Sequence, residues 1–364
     1  MAVSLFDTSS AIEPLRDEVK AAIERVLDSR RYILGPEVSA FEAEFAAYCG
    51  ARYGVGVANG TDAITIALRA MGVGPGDEVV VPSFTFYASA EAIPPTGATP
   101  VFCDIDPETY CVTAETVRAA ITPRTKAVIA VHLFGNLAPV AEIQALGVPV
   151  LEDAAQAAGS IGPDGCRPGA LGEAATWSYF PSKNLACYGD GGMITTSDEG
   201  IAERARTLRF HGSKDKVTYE LLGYNSRLDE LQAAILRVQL PHLDAWADGR
   251  RAAGRHYEQA GLGELAQLPT PTDGAQPAWH LYVVSHPEPA RLEAALAGAE
   301  IGHKAYYRTP VHRQEAMRAW SHAGVELAGT ERAARTHLAI PMSPVLTRAQ
   351  ADRVVAAARA ASDT

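Results

Sequence analysis

Seven short apolar runs in the first two hundred residues constrain this chain more than any other feature. They are YGVGVA (53–58), DEVVVPSF (77–84), TPVFCDI (99–105), TKAVIAVHLFG (125–135), VPVLEDAA (148–155), ATWSYF (175–180) and GMITTS (192–197). Several are apolar without strict alternation, the pattern of strands covered on both faces. The pieces between them, at 62–72, 88–96, 114–121, 138–146 and 199–208, are long enough for helices. Strand and helix taking turns in this way predicts an α/β domain on a mainly parallel sheet.

A longer helical pattern follows over 226–259, broken at Pro241, and then a Pro-rich stretch, LPTPTDGAQP (268–277), that reads as a loop. The later segments LYVVSH and RLEAALA, with a closing helix from about 347, suggest a smaller α+β unit. At 364 residues the chain exceeds the usual size of one compact core. The expected division is therefore a large domain over 14–245 and a small C-terminal domain over 246–364. Residues 1–13 are left as an N-terminal arm that packs on one of the two.

Charge and composition exclude several classes. A net charge of −11 and the absence of a basic run argue against a nucleic-acid partner. No segment approaches the ~20 apolar residues that cross a bilayer, so no membrane partner is expected. The opening MAVSLFDTSSAIEPLRDEV has no charged n-region followed by an apolar stretch. Cys49, Cys103, Cys111, Cys166 and Cys187 are scattered with no C-x-x-C pair, which reads as buried or semi-buried free thiols rather than zinc ligands or disulfides. A cytoplasmic protein is expected.

Four motifs sit at the ends of predicted strands, where open α/β sheets bind ligands. In VANGTDAITIAL (57–68), Gly60 and Thr61 open a helix whose free N–H groups suit an anion; plain helix capping explains the same residues. In VPVLEDAAQAAG (148–159), Glu152 and Asp153 end a buried strand, where a carboxylate is costly without a cationic partner or a capping role. Gln156 lies one turn on. In SYFPSKNLACYGDGGMITT (178–196), Lys183 stands in a turn of small residues beside Ser182. Desolvation there lowers a lysine's pKa and makes the amine nucleophilic. In GYNSRLDELQAA (223–234), Asn225 and Arg227 precede a helix with Asp229 and Glu230 in its first turn, which an amphipathic helix start also explains. Lys183 comes 30 residues after Asp153, and PSFTFYAS (82–89) offers an aromatic ring to stack on a flat ligand. No dinucleotide fingerprint, P-loop, nucleophile elbow or zinc-protease helix competes.

The ordered series NGTDA, VPSFTF, EDAAQA, FPSKNL, YGDGG and GYNSRLDELQAA resembles the DegT/DnrJ/EryC1/StrS sugar aminotransferases. The likeness runs from RYILGPEVSAFE (31–42) through ITPRTKAV (121–128) to WHLY (279–282) and PVH (310–312). It implies the fold-type I architecture of pyridoxal-phosphate enzymes and a homodimer with shared active sites. Carried across residue by residue, it makes Lys183 the Schiff-base lysine and Asp153 the partner of the pyridine nitrogen. Gln156 then lies beside the phenolic oxygen and Phe86 stacks on the ring. Gly60, Thr61 and Ser182 match phosphate ligands, with Asn225 reaching in from the other subunit. Tyr32, Tyr307 and His312 fall in segments that line the sugar site in relatives.

The resemblance also implies the chemistry, amino transfer from glutamate, released as 2-oxoglutarate, to a dTDP- or UDP-linked keto sugar. Family dehydratases carry histidine in place of the lysine, so Lys183 favours transamination. The NSRLDELQAA pattern is closest to enzymes that aminate a 3-keto sugar, whereas HKAYYRTPVH (303–312) departs from the shorter HYP-type segment of relatives. A cyclitol ketone or a 4-keto sugar is the nearest alternative. A regulator would need a DNA-binding head, for which residues 1–30 are too short, and a silent PLP-binding dimer would not need Lys183 and Asp153 together.

Overall fold

The computed structural model describes residues 2–321 and 326–362. Two helices, α1 (Arg16–Ser29) and α2 (Pro36–Cys49), precede the sheet. Then come β1 (Tyr53–Val57), α3 (Gly60–Ala70), β2 (Glu78–Pro82), α4 (Ala88–Glu91), β3 (Thr99–Cys103), α5 (Ala114–Arg118), β4 (Thr125–Val131) and α6 (Val140–Gln144). The sheet finishes with β5 (Val150–Asp153), β6 (Ala174–Ser178) and β7 (Gly192–Thr196), followed by α7 (Glu199–Arg209), α8 (Glu230–Gln239) and α9 (Leu243–Gln259). A smaller part holds β8 (Tyr282–Ser285), α10 (Pro289–Gly298), α11 (Ala328–Thr336), β9 (His337–Ile340) and α12 (Arg348–Ser362).

The seven runs form one sheet in the order β1-β7-β6-β5-β4-β2-β3. Every pair is parallel except those made by β7, which runs antiparallel to both β6 and β1. Parallel neighbours need a crossover, usually a helix. The stretch between β6 and β7 has none and simply turns back, which puts Lys183 at the carboxyl end of β6. Because β1 reverses again, its own carboxyl end returns to the same edge as those of β2, β5 and β6. All the cofactor-type motifs except the one at 223–234 therefore open on one rim.

Boundaries moved where the local chemistry required it. The helix predicted over 88–96 shortens to one turn, because Pro94 and Pro95 lack the N–H groups needed to continue it. The strand predicted over 125–135 ends at Val131, and Phe134 turns back with φ of 59°. The break at Pro241 falls where expected, as a short 3-10 turn between α8 and α9. Cys166 is exposed, unlike the other four cysteines, because it sits in a surface turn.

β8 and β9 pair antiparallel and, with α9 and α12, enclose a second core around Tyr257, Tyr282, Leu296 and Leu338. The N-terminal arm joins this part through single parallel bridges, Val3 to Ile301 and Phe6 to Met342. Among the described residues no helix is long and apolar enough to cross a membrane.

Glu230 ties the first helices to the rest. Its buried carboxylate accepts from the backbone N–H of Gly35, Glu37 and Val38 at 2.8, 2.9 and 2.8 Å, capping α2 at its positive end. A Cβ on Gly35 would come within 2.8 Å of that carboxylate, so a larger residue there would have to push the cap aside. Replacing Glu230 by alanine strands three donors and is expected to destabilise the fold by about 3 kcal/mol or more. Equilibrium urea unfolding measures this, and a loss below ~1 kcal/mol would contradict it.

Candidate active site

The rim opens into a cavity of about 740 Å³ lined by the turn at 59–62, Phe86, Asp153, Gln156, Ser182 and Lys183, among others. The α3 end supplies an anion cradle. Asn59 caps the helix by accepting from Asp62 N–H at 2.8 Å, and the N–H groups of Gly60 and Thr61 have no partner among the described residues. Gly60 packs so close to β6 that a Cβ there would meet Ser178 Cβ at 2.8 Å. Ser182 lines the same cavity, and its hydroxyl makes no hydrogen bond among the described residues.

Asp153 ends β5 with only 6% of its surface exposed. Its carboxylate accepts from Ser89 Oγ at 2.7 Å and from Ala155 N–H at 3.2 Å, and Thr85 Oγ1 lies 3.0 Å from Ser89 Oγ. Its hydrogen-bond partners among the described residues are two neutral donors, which leaves the carboxylate placed to face a cation received in the cavity. Its neighbour Glu152 points the other way. That carboxylate is fully buried and accepts from the N–H groups of Gly169, Leu171 and Gly172 at 3.2, 3.0 and 2.9 Å. His132 Nδ1 accepts from Ala138 N–H at 3.0 Å, so its proton sits on Nε2 and is donated to Glu152 at 2.9 Å. Of the two carboxylates only Asp153 serves the cleft.

Lys183 makes no hydrogen bond through Nζ among the described residues. Burial draws its pKa down to about 8, against the opposing attraction of Asp153. His280 also lines the cavity, and burial, with the positive charges of Lys183 and Arg250, pushes its pKa well below the usual value. It is a neutral imidazole beside the amine. Gln156 is held by Phe134, whose N–H donates to Oε1 at 2.7 Å, so its amide nitrogen faces the cleft, 3.5 Å from Tyr307 Oη. Phe86 projects half-exposed from the rim, 6.1 Å between ring centroids from Tyr307.

Three of the sequence-derived candidates lie elsewhere in this chain. Tyr32 is exposed on the surface, and its carbonyl accepts from Glu230 N–H at 3.0 Å. Asn225 is exposed and its side chain accepts from Arg227. His312 does not line the cleft at all. Ser83 holds it on the far side of the wall, where it borders a separate cavity. Conversely, sequence reasoning passed over Phe6, Ser89, His280 and Tyr306, all of which line the cleft. His280 lies in WHLY and Tyr306 in HKAYYRTPVH, so both had a signal; Phe6, from the arm, had none.

Comparison with known proteins identifies the family. A model of the DegT/DnrJ/EryC1/StrS aminotransferase family matches residues 14–359. A "pleiotropic regulatory protein" of Geobacillus stearothermophilus is 45% identical, covering 98% of this chain and 97% of its own. The dTDP-3-amino-3,4,6-trideoxy-alpha-D-glucose transaminase of Streptomyces venezuelae is also 45% identical, covering 98% and 95%. The solved structure of S. venezuelae DesV in complex with a ketimine intermediate superposes with a TM-score of 0.95 at 44% identity, over 99% of this chain and 98% of that one. Sequence and fold thus agree along nearly the whole length, and the chain belongs to the DegT/DnrJ/EryC1/StrS aminotransferase family.

Proposed function

We propose that this protein is a pyridoxal-phosphate-dependent aminotransferase that moves an amino group from glutamate to a nucleotide-linked 3-keto sugar. The observation that carries the reading is the meeting of an unbonded Lys183 amine, the Asp153 carboxylate and the free α3 N–H groups in one cleft. Those groups fit the cofactor. Gly60, Thr61 and Ser182 would hold its phosphate, Asp153 would face its ring nitrogen, and Lys183 would bind its aldehyde carbon. When bound, pyridoxal phosphate supplies an electron sink for the negative charge left when a carbon loses its proton.

The chain's own residues do the rest. Asp153, buried at the end of β5, would face the ring nitrogen and favour its positive charge. Lys183 Nζ would take the proton from the donor carbon as general base and, as general acid, deliver it to the carbon that had held the aldehyde. Gln156 would offer its amide hydrogens to the phenolic oxygen, and Phe86 would cover one face of the ring. Tyr307 and Tyr306 form a wall for the sugar. The support for a nucleotide-sugar acceptor is the close similarity to the trideoxyglucose transaminase.

Tyr32 and Asn225 complete the site under this reading only if a second copy brings them in, so the working form is a homodimer. The exposed apolar side chains of Val217, Tyr219, Leu221 and Leu222 support such a partner. A cofactor domain over 14–245 and a small domain over 246–364 meet within α9, which is continuous from Leu243 to Gln259 and serves as their link. Five free cysteines, four of them buried, suit a reducing compartment, and we take the cytoplasm as the location.

The test is spectroscopic. Nucleotide amino sugars added to the cofactor-loaded protein should convert its spectrum to the amine form with the matching 3-amino sugar, and a sugar-insensitive spectrum would contradict the acceptor class. The amine itself gives a pH dependence. Only neutral Lys183 attacks an aldehyde, so capture of pyridoxal phosphate by the apoprotein should quicken up to about pH 8 and then level off. A midpoint near that of an ordinary lysine, above pH ~10, would contradict it.

A further inference from the structure

Ser83 and His312 are 229 residues apart in sequence and meet beneath the cleft wall. His312 Nδ1 lies 2.5 Å from Ser83 Oγ, and the His312 backbone N–H donates to the same oxygen at 3.2 Å. Val311 N–H donates to the Ser83 carbonyl at 2.9 Å. On the other side of the ring, Glu331 Oε1 on α11 lies 3.6 Å from Nε2. That carboxylate draws the imidazole proton to Nε2, which leaves Nδ1 to accept from Ser83 Oγ. Arg313 Nε holds that carboxylate at 2.8 Å, and the His312 carbonyl accepts from Ser321 Oγ.

The two residues join elements that carry the chemistry. Ser83 directly follows β2 and leads into Phe86 and into Ser89, the donor to Asp153. His312 ends a segment that begins at Lys304, where backbone bonds of 3.1 and 2.9 Å tie it to Ala339 of β9. Between these anchors, residues 305–310 cross the cleft as a strap, and Tyr306 and Tyr307 face the cavity. One anchor is a strand-like backbone pair. The other combines the backbone N–H groups of Val311 and His312 with the imidazole's hydrogen bond, all to a serine with no exposed surface.

We propose that His312 is a positioning residue, which through Ser83 fixes the Tyr306–Tyr307 strap as the wall against which the acceptor sugar rests. This rests on the aminotransferase reading for its chemistry, but not for its geometry. Without the imidazole, Ser83 keeps a buried hydroxyl with no acceptor, and that end of the strap is left to its backbone bonds alone. The amino donor reacts at the same place but is much smaller than a nucleotide sugar, so it leans less on the strap.

The test uses the full chain with His312→Ala, Ser83→Ala and His312→Asn, whose amide oxygen can take the Ser83 proton. In the protein without substrate, amide hydrogen exchange over 305–312 should quicken about tenfold in His312→Ala while β8 is unchanged. In the cofactor-loaded enzyme, KM for the keto sugar should rise about tenfold in both alanine variants. The half-reaction with glutamate and kcat should stay within about twofold, and His312→Asn should recover KM to within about threefold. An unchanged KM, or an equal fall in both half-reactions, would overturn the proposal. If the wild type aminates no keto sugar, the acceptor reading fails separately. Exchange then decides alone: a faster strap in His312→Ala upholds the anchor, and an unchanged one removes it.

Discussion

Replacing Lys183 by alanine is expected to lower transamination by at least about 10⁴-fold, because one amine both binds the cofactor and carries the proton. The fold should survive. Lys183 makes no hydrogen bond through Nζ among the described residues, and burial already disfavours its charge, so the truncation removes a group the structure does not lean on. Melting temperature should therefore hold while the visible absorbance of the loaded protein disappears. Steady-state assay and spectrum together check this. A variant that turns over within about tenfold of wild type would reassign the nucleophile.

Asp153→Asn is expected to cost about 10²–10³-fold in kcat, the usual cost of removing a preorganised charge aimed at the reacting system. Ser89 donates to one carboxylate oxygen and Ala155 to the other, so the asparagine keeps one of these bonds while the charge is lost. Cofactor binding should weaken far less than turnover falls. Comparing kcat with the cofactor dissociation constant checks the split, and an equal loss in both would mean that Asp153 only anchors the ring.

Much of this site was legible because it is built from strand ends. A buried run such as VPVLEDAA announces a strand covered on both faces, and the first residue types after it that are neither apolar nor small must do something at the rim. The sheet order then brings Gly60, Phe86, Asp153 and Lys183 together without any side-chain information. Glu152 shows the limit. Adjacent carboxylates on a strand point to opposite faces, and only the structure reveals which one is satisfied by Gly169, Leu171, Gly172 and His132.

The rest was hidden for physical reasons. Phe6 enters the cleft only because two isolated bridges dock the arm, and a single bridge has no sequence periodicity. His312 was read as lining the sugar site by its place in PVH, but its partner, Ser83, is 229 residues away and carries no mark of the contact. Glu230 looked like a helix-start charge. Its role, capping a different helix 195 residues earlier at Gly35, is a tertiary contact that local propensity cannot express. Tyr32 and Asn225 depend on an assembly, and no single-chain pattern reports that.

The most direct measurement is to load the protein with pyridoxal phosphate, reduce it with borohydride and map the modified peptide by mass spectrometry. The account predicts one pyridoxyl group per chain, on Lys183. Finding it on Lys214, Lys216 or Lys304, or finding no stable label, would contradict the central claim.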